Sequence, residues 1–333
     1  MKTSILLLIS FIILITSNSF STPLNGTYTI GNGGNYPTIN SALDDAMNQG
    51  ISGPVIFEII TGHYYENIEG IKVFAGSNEI NTVTLKSQSG NRLDVIITPN
   101  DLSGFSFSAA NMVFRDLYFD SFILFHLINN VSFINNYIHV VELVGEELMP
   151  SYDLNFIGNY TNIYTRPSFL IKNINIKNNT LGFLLLYNNC RIENVLVENN
   201  TISRIETDSD NVVNNFKCFK NNISGGTIYA INVDFYNNFI FNTTITGFGS
   251  LINNTIVYDN NGVPTLFSLK NVKNNIIINT AGYYAVIVYD TKEISNSDYN
   301  VFYNGGNNYL IGYNGVSYIS IQDFFNATGL DQH

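Results

Sequence analysis

Apolar residues run along this chain in short alternating stretches, and an asparagine closes each stretch at a fixed phase. With Asn136, Asn159, Asn179, Asn200, Asn222, Asn238, Asn254, Asn275 and Asn300 as marks, the steps lie between 16 and 25 residues. Three positions before the marks stand Phe133, Phe156, Ile176, Val197, Phe219, Phe235, Leu251, Val272 and Ser297. Two positions after most of them stand Ile138, Leu181, Ile202, Ile240, Ile256 and Ile277. A period of this length with a constant internal phase signals stacked supersecondary units. The unit is too short for a pair of helices and is rich in Ile, Val, Phe, Tyr and Thr, so it reads as strands. Alternation in runs such as Val195-Leu196-Val197 sends the residue three before the asparagine inward, onto its equivalents in neighbouring coils. The asparagine itself is expected at the bend, in the left-handed conformation that this residue tolerates. Its amide is expected to bond the next one in a ladder. The predicted fold is all-β, a single right-handed parallel β-helix.

The pattern breaks at the N-terminus. Residues 1–21 read as a signal peptide: Lys2, then the apolar run Ile5 to Ile15, then the small residues around Ser19-Phe20-Ser21. The apolar run is shorter than the roughly 20 residues of a membrane span, and no later segment reads as one. Residues 22–80 form an expected cap with the first strands. Within it Pro37 to Gln49 predicts a helix, with Ile39, Ala42, Leu43, Ala46 and Met47 on one face, Thr38 as N-cap and Gly50 after its end. Such a helix would cover the open end of a solenoid, whose bare strand edges invite aggregation. Residues 81–333 are assigned to the coils, and the chain is expected to be truncated at its C-terminal end.

The segments Gly26-Thr27-Tyr28-Thr29-Ile30-Gly31, Asn35-Tyr36-Pro37-Thr38-Ile39, Gly50-Ile51-Ser52-Gly53-Pro54-Val55 and Gly62-His63-Tyr64-Tyr65-Glu66 carry a resemblance. They are similar to the N-terminal cap of secreted right-handed parallel β-helix proteins of the pectin-lyase-like superfamily, common on the surface of Bacteroidota. Ser297-Asp298-Tyr299-Asn300-Val301-Phe302-Tyr303 and Thr328-Gly329-Leu330-Asp331-Gln332-His333 resemble late coils of the same superfamily. The resemblance implies a fold and an extracellular location. It leaves activity open, because one fold hosts many functions.

Composition narrows the partners. The net charge is -11 and only 12% of residues are charged, which argues against nucleic acid and anionic membrane as partners. Cys190 and Cys218 are two cysteines only, too few for a disulfide scaffold or a zinc cluster, and they are expected out of phase with each other. Polyuronate lyases of the superfamily hold calcium on clustered carboxylates and use an Arg or Lys as base. The nearest counterpart is Glu206, Asp208 and Asp210, which alternate along one segment, with Arg191 and Arg204 as the nearest cations. Calcium needs several converging oxygens, and a solvated acidic loop is the plainer reading of these three. His63, His126, His139 and His333 share no metal-ligand spacing, and no nucleophile stands out. Arg115, Asp116 and Asp120 read as surface pairing. Outward charges two before the ladder are expected to set Glu198 between Lys177 and Lys220.

Tyrosine offers a flat apolar face with a polar tip, suited to sugar rings. Tyr118, Tyr187, Tyr229, Tyr236, Tyr258, Tyr283, Tyr284 and Tyr289 are the candidates; edge packing along the solenoid is the competing account. Three functional classes follow. The first, preferred, is a secreted or cell-surface module that binds polysaccharide or a surface glycan, or serves a structural or adhesive role. The second is a lyase or glycoside hydrolase on an acidic polysaccharide, with Ca2+ as the cofactor of a lyase. The third is an inert stalk for a further domain.

Overall fold

The computed structural model describes residues 22–333, apart from 102–103, 145–150, 166–169, 187–190, 208–211, 260–264, 290–293 and 307–308. The segment read as a signal peptide, together with Cys190, Asp208 and Asp210, therefore lies outside the described residues.

The chain winds into a parallel β-solenoid with a short helix near each end. One inward column runs through twelve strands in strict register: Phe57, Leu85, Phe114, Phe133, Phe156, Ile176, Val197, Cys218, Phe235, Leu251, Val272 and Ser297. Three successive aromatic members, Phe114, Phe133 and Phe156, stack flat. Phe133 lies 5.1 Å from Phe114 and 5.2 Å from Phe156, with nearly parallel rings. A second inward column, Leu181, Ile202, Ile223, Ile240, Ile256, Ile277 and Phe302, follows the bend. Each coil therefore buries its apolar face only against the coils above and below it, which is why the period is legible in the sequence.

The buried ladder contains Asn136, Asn159, Asn179, Asn200, Asn221, Asn238, Asn254, Asn275 and Asn300. It passes through Asn221 and not Asn222, which is exposed. The left-handed corner falls one residue before each rung, at Asn135, Asn178, Asn199, Lys220, Asn237, Asn253, Asn274 and Tyr299, with Gly158 doing the same before Asn159. The rungs themselves are not left-handed, contrary to expectation. Most coils supply an Asn-Asn pair whose second member is the rung. At 220–222 a lysine takes the corner, so the pair is displaced and its first member is the rung. The shift moves Cys218 into the inward column, fully buried, where burial pushes its thiol well above the usual range. It also places Phe219, not Lys220, beside Glu198, which keeps one lysine partner, Lys177, at 3.0 Å.

Each rung amide is saturated. Asn179 donates from its backbone N–H and from Nδ2 to Asn200 Oδ1, at 2.8 and 3.0 Å, and from Nδ2 to the Phe156 carbonyl at 2.8 Å. The same pattern repeats from Asn136 to Asn275. The ladder starts where the Leu117 N–H donates to Asn136 Oδ1. It ends on Asp331, which accepts from the Asn300 backbone and Nδ2 and from the Ser297 hydroxyl. Asp331 has no side-chain N–H, and its backbone N–H donates to the Ser297 carbonyl instead, at 2.7 Å.

At the N-terminus helix α1 (Ile39–Gln49) begins in a Thr38–Ser41 capping box and ends at Gly50. Its first N–H groups donate to the nearly buried Glu66 carboxylate, Ile39 to Oε1 and Asn40 to Oε2, both at 2.9 Å. This pairs a negative charge with the positive end of the helix. The cap strands Leu24–Ile30 and Ile51–Ile59 join the same parallel sheet as the coils. Helix α2 (Ile321–Thr328) lies near the other end and buries Phe324.

Candidate functional site

The acidic segment is only partly described. Glu206 lies on the short strand Ile205–Thr207, and the Arg204 guanidinium contacts its Oε1. Burial nevertheless pushes the Glu206 carboxyl up from its usual range. Arg191 pairs with Glu193 at 2.8 Å, and Lys172 reaches the other oxygen of Glu193 at 3.0 Å. Hydrogen bonding from Lys172, then the charges of Lys172 and Arg191, hold the Glu193 carboxyl below its usual range. Both candidate cations are thus engaged by glutamates two residues along the chain. Among the described residues no three His, Cys, Asp or Glu side chains come together to hold a metal.

A different surface brings functional groups together. The sheet that follows the bend presents two outward columns across the first coils. One runs His63, Ile96, Tyr118, Tyr137, Tyr160 and Thr180. Two residues further along each strand lie Tyr65, Thr98, Asp120, His139 and Asn162, by the same alternation. In the first column Tyr118, Tyr137 and Tyr160 stack at 4.5 and 4.9 Å with rings within 8° of parallel. Their faces cover one another, so the stack offers edges and hydroxyls to solvent. Desolvation, then the neighbouring Tyr137 and Asp120, push the Tyr118 phenol above its usual range.

The second column is polar and connected. His63 of the first column reaches across to it, its Nε2 2.7 Å from Thr98 Oγ1; the Thr98 hydroxyl donates to Asp120 Oδ2 at 3.3 Å, and Asp120 Oδ1 lies 3.4 Å from His139 Nε2. Asn162 donates to the His139 carbonyl at 2.7 Å and accepts from the Phe183 N–H at 2.8 Å. The His139 ring sits edge-on to Tyr137, 5.6 Å away. The strip stays open: Asp120 and His139 are each close to half exposed, as is Tyr160. The result is a flat surface of donors and acceptors repeating at the coil spacing.

Most of this strip was not evident beforehand. His63, Thr98, Asp120 and His139 are widely separated in sequence, and only the strand register links each to the next. A phase test at the position after the rung would have found Tyr137 and Tyr160. Of the tyrosines singled out, Tyr236 stacks on Phe219. Tyr258 is buried and donates to the Thr243 carbonyl, and Tyr284 stacks on Tyr309 and shares a hydrogen bond with Ser317. Tyr283 is exposed. Tyr187 and the side chains of Tyr229 and Tyr289 lie outside the described residues. Arg115 and Asp116 end the strand and turn before Tyr118, and Asp116 accepts from Asn135 Nδ2 at 2.6 Å.

No known protein family, curated protein or solved structure matches the chain. Fold and surface define its class, a parallel β-solenoid with an outward tyrosine and polar strip. No helix among the described residues is long and apolar enough to cross a membrane.

Proposed function

We propose that the protein is a secreted or cell-surface module, related to the pectin-lyase-like β-helices, that binds polysaccharide along its solenoid axis. The observation that carries this reading is the strip of Tyr118, Tyr137 and Tyr160 beside Thr98, Asp120, His139 and Asn162. Neighbouring coils are about 4.8 Å apart, comparable to the length of one pyranose unit. Successive sugars could therefore meet equivalent groups on successive coils. Sugar hydroxyls both donate and accept, as do the phenol, threonine and histidine groups on the strip. The net charge of -11 favours a neutral glycan over an acidic one. The calcium-dependent lyase reading draws less support, because Arg191 and Arg204 are each paired with a glutamate. The stalk reading leaves the polar network on this face without a role.

Affinity electrophoresis against neutral and acidic polysaccharides tests the proposal. Retardation by a neutral glycan is expected, and D120A and Y160A should weaken it. Failure of every glycan to retard the protein, or retardation indifferent to both substitutions, would overturn the reading. A parallel assay for unsaturated sugar ends, with calcium and with chelator, tests the lyase alternative.

A further inference from the structure

Around the corner from the strip, a third sheet carries a second group of side chains. Strand Glu69–Lys72 pairs with the start of Phe105–Arg115, which in turn pairs with the middle of Tyr118–Ile134. Ser106 stands opposite Glu69 on one side and Leu124 on the other. His126, two residues beyond Leu124, reaches back diagonally, and its Nε2 lies 3.0 Å from Ser106 Oγ. The pair is half-buried and lies in an open depression of about 320 Å³ whose walls also include Glu69, Gly70, Phe107 and Ser108. Space in front of Gly70 is empty: a Cβ there would meet nothing within 4 Å.

A serine hydroxyl within hydrogen-bond reach of an imidazole, in a depression a substrate can enter, is the elementary unit of acyl transfer. We propose that Ser106 and His126 form a nucleophile and general base that hydrolyse short-chain acyl esters. With the ring protonated at Nδ1, the Ser106 hydroxyl donates to Nε2. Oγ attacks the ester carbonyl carbon as its proton passes to Nε2. The bond from that carbon to the alcohol oxygen then breaks, and the imidazolium returns the proton to the departing alcohol. Water repeats the sequence on the acyl-serine, giving up its proton to Nε2. The carboxylic acid leaves, Oγ takes the proton back, and both residues are restored. Glu69 stands opposite Ser106 in strand register, on the same wall. The depression is shallow and Phe107 is buried beneath it, so the acyl group it suits is small, of acetyl size. This inference is independent of the glycan reading.

The full chain is incubated with a fluorophosphonate probe and mapped by mass spectrometry, and hydrolysis of p-nitrophenyl acetate is followed in parallel. The probe is expected on Ser106. S106A and H126A should each lower turnover by on the order of 100-fold or more. A wild-type chain that takes no label, a label on another residue, or turnover unchanged in S106A would overturn the proposal. Mapping on the wild-type chain needs no variant to fold.

Discussion

Two sets of asparagines occupy the same coils and do different work. The rungs, such as Asn179 and Asn200, are buried, and each bonds both the next rung and a carbonyl of the previous coil. A second set lies six residues earlier at Asn111, Asn130, Asp153, Asn173, Asn194 and Asn215, all left-handed. These also form side-chain links, Asn194 to Asn173 and Asn215 to Asn194 at 3.0 Å each, but they face solvent. The buried set supplies hydrogen bonding that water cannot replace. The outer set supplies backbone conformation, since asparagine accepts positive φ better than most residues. One residue type therefore answers two different physical demands within a single coil.

The largest expected effect separates the two members of one Asn-Asn pair. N221A should lower stability by about 1–3 kcal/mol, because it strands buried donors and acceptors, whereas N222A should stay within about 0.5 kcal/mol. Chemical denaturation of both variants checks this, and equal midpoints would sink the assignment of Asn221 as the rung. Glycine gives the next test. N194A is expected to cost about 1–2 kcal/mol for a left-handed alanine, while N194G should recover most of that loss. At Asn200, which is not left-handed, glycine should rescue nothing. Thermal melts of the four variants would break the comparison if glycine restored Asn200.

The end of the ladder sharpens the same contrast. Burial raises the Asp331 carboxyl above its usual range, although hydrogen bonds from Ser297 and Asn300 oppose the shift. Between the ordinary carboxylate range and that raised value, the folded chain binds more proton than the unfolded chain. Its contribution to stability therefore falls as pH rises through the window and returns on acidification. D331N keeps the acceptor that meets Asn300 and should remove this pH slope with little loss of stability. D331A should lose the contact altogether. Stability measured from mildly acidic to neutral pH distinguishes them. Smallest of all is the part-exposed Lys177–Glu198 pair: E198Q should cost under about 1 kcal/mol, an effect that added salt reduces.

The inward column and the buried ladder could be read from the sequence because each coil repeats the same chemistry at the same phase. The misassigned rung was hidden by its neighbour. Lys220 at the left-handed corner broke the Asn-Asn habit that every adjacent coil suggested. The outer set at Asn173, Asn194 and Asn215 was readable by the same phase test applied six positions earlier. The polar strip and the Ser106–His126 pair were not readable that way. His63 and His139 join one strip only through the strand register, by way of Thr98 and Asp120, and Ser106 meets His126 only on a diagonal across two strands. No local motif encodes such a contact.

The self-sufficient rung also makes this molecule divisible. Asn179-Thr180-Leu181 and Asn200-Thr201-Ile202 open two successive coils with matching chemistry. Excising residues 180–200 would join Asn179 directly to Thr201 and bring its amide to Asn221, keeping the rung donors paired and the inward columns in phase. The coil is thus a unit of length as well as of structure, and a gene for such a chain can shorten or grow by duplication one whole turn at a time.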